Sequence, residues 1–171
     1  GSLKEQKNHA LLIKAFAALR KKMPCRLRIL GEGPLRGNLE ALIKECGMEP
    51  YIDLPGFVDD PASEYLAADL FVLSSDYEGF GNVIVEALEH GTPVVSTDCP
   101  SGPREILESG KYGALVPVGD AEVLAEAMED ALTREHDRHA LLRRAQDFSV
   151  EKAADAYLDL LIPGWRERTQ A

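Results

Sequence analysis

Two short runs, Asp69-Leu70-Phe71-Val72-Leu73 and Pro93-Val94-Val95-Ser96-Thr97, are apolar on consecutive residues rather than on alternate ones. A strand of that kind needs cover on both faces, which is the condition of a parallel sheet packed between helices. The rest of the chain supplies the helices. Asn8 can cap a helix over 9–22, whose Leu11, Leu12, Ala15, Phe16 and Leu19 recur at helical spacing. Further helices are predicted at 35–46, 62–67, 82–90 and 104–109, and further strands at 26–30, 51–54 and 114–116. Strand and helix alternate about five times before a helical tail over 121–133, 137–148 and 150–162. The rhythm predicts an α/β fold, a Rossmann-like parallel sheet sandwiched by helices.

Ligands of such sheets sit at the carboxyl ends of the strands. Three strand ends here run into small or polar residues: Leu30 into Gly31, Leu73 into Ser74-Ser75, and Thr97 into Asp98. The site is expected on that edge. A chain of 171 residues fits one domain with a real core. Its net charge of −10 argues against a general nucleic-acid or anionic-membrane surface, though not against one local anion pocket. Cys25, Cys46 and Cys99 form no C-x-x-C pair and are odd in number, so free thiols in a reducing compartment are expected. No apolar run approaches the roughly 20 residues of a membrane span, and no signal peptide is visible. The abrupt start suggests a piece of a longer protein.

Several constellations carry chemistry. Gly31-Glu32-Gly33 lies between a strand and a helix, with Asp53 about 20 residues on, a partial match to a dinucleotide fingerprint. A tight turn led into the helix by Pro34 explains the same residues. Gly79-Phe80-Gly81 precedes a helix starting near Asn82, whose positive end and open amides suit a phosphate. Val83, Ile84, Val85, Ala87 and Leu88 make that helix apolar almost all round, hence buried. Glu86 therefore needs a partner. It either receives two neighbouring sugar hydroxyls as a bidentate acceptor or pairs with a buried Arg or Lys; the residues alone leave both open. Glu78, in the loop, can serve a second sugar. Lys7 can offer a point charge to a diphosphate or be an ordinary surface lysine. Ser101-Gly102-Pro103-Arg104-Glu105 can offer amides or Arg104 to phosphate oxygens, or be a plain connection. His136 and His139 are read as one exposed helical face without a third metal ligand. Trp165, with Arg166 and Arg168, suggests a docking surface or a frayed terminus.

Taken together, these residues resemble the carboxyl-terminal domain of retaining glycosyltransferases of family 4, which have the GT-B fold. The resemblance runs in order through GSLKEQKNHALLIKAF, LRILGEGP, IDLPGFVDD, AADLFVLSSDYEGFGNVIVEALEHGTPVVSTD, GPREIL and GALVPVGD. It implies that residues 1–171 are a single nucleotide-sugar-binding domain, with the amino-terminal acceptor domain and the strand just before Gly1 absent. It further implies that Glu86 binds the ribose hydroxyls, that Glu78 contacts the transferred sugar, and that Gly79, Phe80, Gly81, Asn82 and Val83 hold sugar and diphosphate. Lys7 would balance the diphosphate charge, and Gly31, Gly33, Phe57 and Val58 would border the base. The family commonly has an arginine where this chain has Ser2. The implied parent transfers a sugar, from a UDP-sugar by the wording of the motifs, to a carbohydrate or lipid-linked acceptor. It uses no metal or cofactor, no nucleic acid and no membrane span of its own. Its place would be cytoplasmic, peripheral at the inner membrane face through the missing domain, and this fragment alone would scarcely turn over. Two other readings are a dehydrogenase domain binding NAD through Gly31, Gly33 and Asp53, and a non-catalytic nucleotide-sugar-binding domain.

Overall fold

The computed structural model describes residues 2–163 and 165. Five parallel strands, β1 (Leu27–Leu30), β2 (Ile52–Gly56), β3 (Phe71–Leu73), β4 (Val94–Thr97) and β5 (Ala114–Val116), alternate with helices α1 (His9–Arg20), α2 (Arg36–Glu45), α3 (Pro61–Ala67), α4 (Asn82–Glu89) and α5 (Pro103–Ile106). Helices α6 (Ala121–Thr133), α7 (Arg138–Ala145) and α8 (Val150–Leu161) form the tail. The layered α/β expectation is met.

The helices start where side chains can satisfy open amides. Asn8 Oδ1 accepts from Leu11 N at 3.1 Å, Asp60 Oδ1 from Ser63 N at 3.3 Å, and Asp137 Oδ1 from Ala140 N at 3.0 Å. Asp137 thus caps α7, which leaves His136 outside the helix, its Nε2 2.7 Å from Ala131 O. The expected shared face with His139 does not form, and the described residues contain no cluster of metal-ligating side chains. Strand β2 also runs on through Pro55 and Gly56, beyond the expected end at residue 54. Proline is tolerated because the register between β1 and β2 shifts here, Arg28 facing Asp53 but Leu30 facing Gly56, so Pro55 falls at a bulge where no ladder donor is needed.

Central strand β4 shows why its run is apolar on consecutive residues. Val95 packs with Leu11, Leu12, Phe16, Leu124 and Met128 of α1 and α6. Val94, facing the other way, packs with Ile84, Leu88, Ile106 and Leu141 of α4, α5 and α7. Both valines are almost fully buried, and each buried aliphatic side chain stabilises the fold by roughly 1.5–3 kcal/mol.

The strands do not form one continuous ladder. β1 pairs with β2, and β3 with β4 and β5, but β1 and β3 are not hydrogen-bonded to each other. Residues of both facing strands, Leu27–Leu30 and Phe71–Leu73, line a cavity of about 1240 Å³. Leu3, fully buried, is tied to the carboxyl end of β1: its N–H donates to Glu32 O at 2.9 Å and its carbonyl accepts from Leu35 N at 3.2 Å.

Candidate functional site

Two segments far apart in sequence are fastened together at the carboxyl edge. Gln6 Nε2 donates to Tyr77 O at 2.9 Å, and Asp76 N donates back to Gln6 O at 2.9 Å. Asn8 Nδ2 donates to Asp76 Oδ1 at 2.8 Å, and Lys7 Nζ stands 2.6 Å from Glu78 Oε1. The left-handed Asn8 (φ 42°) closes the short turn before α1 and lets its side chain cap that helix while its amide reaches Asp76.

The Glu78 side chain is only 7% exposed, so its charge requires compensation. Lys7 supplies it, and Ser75 Oγ adds a hydrogen bond of 2.6 Å to the same oxygen. Ser75 is itself held, its carbonyl accepting from the buried Thr97 hydroxyl at 2.6 Å. Lys7 is neither an isolated surface lysine nor free of charge compensation. Its carbonyl is held as well, by Ser74 Oγ at 2.9 Å, and the residue borders the cavity.

Glu86 is arranged differently. It lies in the second turn of α4, half-buried, and among the described residues no ion pair reaches it. The buried Arg or Lys partner allowed by the sequence is thus not what holds this carboxylate. Tyr65 is: its hydroxyl donates to Glu86 Oε2 at 2.9 Å. Burial, then the neighbouring carboxylate, pushes the Tyr65 phenol well above the usual tyrosine range. It remains a donor throughout the neutral range.

The other expected residues divide between two places. Lys7, Gly31, Phe57, Val58, Val83 and Glu86 line the cavity. Phe57 is 76% exposed, an aromatic face left open at the rim. Glu78, Gly79, Phe80, Gly81 and Asn82 lie beside that cavity, joined to it through the Lys7–Glu78 pair. Gly81, with φ 95°, turns the chain into α4, while a side chain added at Gly79 would enter open space. Phe80 meets Phe148 edge-on at 5.6 Å. Gly33 is a glycine for a local reason, since an added Cβ would fall 2.5 Å from the Leu3 carbonyl oxygen.

The Ser-Gly-Pro turn packs directly under this loop. A Cβ on Gly102 would fall 1.6 Å from Phe80 O, and Glu78 N donates to Pro100 O at 3.3 Å. Arg104 is bound to Asp98 by two side-chain hydrogen bonds, on the exposed side. Asp53, the ribose acid of the dinucleotide reading, is instead paired with Arg28 at 3.1 Å. Trp165 Nε1 donates to Asp159 Oδ1 at 2.8 Å, while Arg166 and Arg168 lie outside the described residues. Sequence reasoning missed Tyr65, Ser75 and Thr97. Tyr65 and Thr97 reach their partners through tertiary contacts, Ser75 reaches Glu78 three residues along, and only the strand-end positions of Ser75 and Thr97 signalled them.

A family model described as glycosyl transferases group 1 matches residues 1–148. The chain belongs to this family. It is 37% identical over 166 residues to the N-acetylgalactosamine-N,N'-diacetylbacillosaminyl-diphospho-undecaprenol 4-alpha-N-acetylgalactosaminyltransferase of Campylobacter jejuni, covering 95% of this chain and 45% of that protein. It is 38% identical over 166 residues to the lipopolysaccharide core biosynthesis glycosyltransferase LpsE of Rhizobium meliloti, covering 94% and 48%. The glycosyltransferase chain thus spans about half the length of these curated relatives. Among solved structures, Anabaena HepE in complex with UDP superposes with a TM-score of 0.82 at 26% identity, over 94% of this chain and 46% of that one. The fold is that of the carboxyl-terminal domain of GT-B glycosyltransferases. Among the described residues no helix is long and apolar enough to cross a membrane.

Proposed function

We propose that this chain is the donor-binding domain of a retaining, family 4 glycosyltransferase that takes its sugar from a UDP-sugar. The observation that carries the reading is Glu86: a half-buried carboxylate at the cavity, without an ion pair among the described residues and with one oxygen uncommitted. That arrangement suits the two neighbouring hydroxyls of a ribose. The UDP complex of a relative with the same fold supports the choice of base.

Lys7 meets the diphosphate. Its ammonium has three N–H groups and gives one to Glu78, so the pair holds a cation at the cavity without using it up. Amides of Gly79–Asn82 at the start of α4 add donors. In the transfer, the bond between the anomeric carbon and the diphosphate oxygen breaks. The acceptor hydroxyl bonds to the same face of that carbon, and its proton passes to the departing diphosphate. The protein's part is positioning and stabilisation of the charge that develops on that group, by Lys7 and the amides rather than by a metal. Glu78, held by Lys7 and Ser75, borders the transferred hexose or N-acetylhexosamine.

The acceptor, carbohydrate or lipid-linked, belongs to an amino-terminal lobe, cytoplasmic and peripheral to the membrane. Without that lobe this chain binds donor but scarcely turns it over.

Isothermal titration of the chain with UDP, GDP, ADP and NAD tests the reading. UDP is expected to bind best, and Glu86→Ala to weaken it by roughly 1.5–3 kcal/mol, the worth of hydrogen bonds to a charged group. Binding of none of the diphosphates, or an unchanged affinity in Glu86→Ala, would refute it.

A further inference from the structure

We propose that Tyr65 is a positioning residue for nucleotide recognition: its hydroxyl locks the Glu86 carboxylate in the orientation that receives the ribose, an inference that rests on Glu86 being the ribose acceptor. A glutamate side chain has several rotatable bonds, and freezing them on ligand arrival opposes binding. Tyr65 removes that cost beforehand by donating to Oε2 at 2.9 Å. The carboxylate keeps Oε1 whole and a second lone pair on Oε2, enough for two hydroxyl donors.

Tyr65 is itself fixed before it reaches Glu86. The Thr92 hydroxyl donates to Tyr65 O at 2.8 Å, anchoring the end of α3. Its ring meets Phe71 edge-on at 5.6 Å and stacks on His90 at 5.5 Å and 22°. His90 belongs to the same device. Its Nδ1 lies 2.7 Å from Glu86 O, and because a carbonyl only accepts, that nitrogen carries the proton. The backbone and the carboxylate of Glu86 are thus held by two rings that stack on each other. Tyr65 and Glu86 both line the cavity, so the locked carboxylate stands where a ligand enters. The phenol, raised by burial and by Glu86, does not ionise and repel its partner at neutral pH.

The test uses the 171-residue chain and two probes, UDP and 2′,3′-dideoxyuridine diphosphate, in wild type, Tyr65→Phe, Glu86→Ala and the double variant. Tyr65→Phe keeps both ring contacts and removes only the hydroxyl; thermal melting reports whether the fold is intact. The expected result is a loss of UDP affinity of roughly three- to tenfold in Tyr65→Phe, with dideoxy affinity held within about twofold. In the Glu86→Ala background Tyr65→Phe is expected to have no further effect. Equal weakening of both probes, or a loss that persists without Glu86, overturns the proposal in favour of packing. A wild-type preference for UDP that Tyr65→Phe leaves intact overturns the proposal alone. Wild type binding both probes alike, or binding neither, removes the ribose reading and this inference with it.

Discussion

Lys7 Nζ and Glu78 Oε1 lie 2.6 Å apart, although 71 positions separate the two residues in sequence. The contact sits at the centre of a three-residue seam in which Gln6, Lys7 and Asn8 engage Tyr77, Glu78 and Asp76. It therefore joins the segment before α1 to the loop before α4, the two pieces that flank the proposed diphosphate position.

The pair should be structural as well as functional. Lys7→Met leaves the Glu78 carboxylate buried without its cation, and is expected to cost roughly 3 kcal/mol, near the lower end for a broken buried pair. Replacing both, Lys7→Met with Glu78→Leu, should cost clearly less than the sum of the singles. Urea unfolding of the four proteins measures this, and strict additivity would show that the two side chains are not coupled.

The two glycine turns give opposite expectations. At Gly102 an added Cβ would fall 1.6 Å from Phe80 O, at φ 76°, so neither space nor backbone conformation admits a side chain. Gly102→Ala is expected to destabilise by more than about 2 kcal/mol through displacement of the Phe80 loop. Gly79→Ala points into open space and should leave stability within about 0.5 kcal/mol. Under the proposed function it should still weaken UDP binding. Melting curves paired with titrations separate the two; a stable Gly102→Ala protein would contradict the packing described.

Burial, with a contribution from Lys7, lowers His9 to a pKa of about 4 from an ordinary 6.5. Between those values the unfolded chain binds the proton and the folded one does not, so stability rises with pH there. The contribution is complete above pH 6.5 and is lost as pH falls towards about 4. Relative to a His9→Gln variant, the wild-type Tm should drop several degrees between pH 7.5 and 4.5, at about 2–4 °C per kcal/mol for a chain of this size. Parallel pH profiles in the two proteins would remove His9 as the cause.

Much of the architecture was readable before any coordinates. Consecutive apolar residues in two runs required a doubly covered sheet, and helical spacing with the Asn8 cap placed α1, because both signals are local properties of the chain. The boundary at Pro55 was misread since the proline is accommodated by a register shift against β1, a property of the strand pair rather than of β2 alone. The shared face of His136 and His139 failed because Asp137, between them, starts the helix.

Site residues divide along the same line. Position alone put Glu86 near the start of a buried helix, but spacing could not choose between an ion pair and a hydroxyl ligand. The structure gives the carboxylate a hydrogen bond from Tyr65, 21 residues away on another helix, in place of an ion pair among the described residues. Likewise the sequence marked Lys7 and Glu78 singly as charges in search of partners, while the tertiary structure made them each other's partner. A carboxylate's environment is set by groups that approach through space, and a linear pattern records only those that approach along the chain.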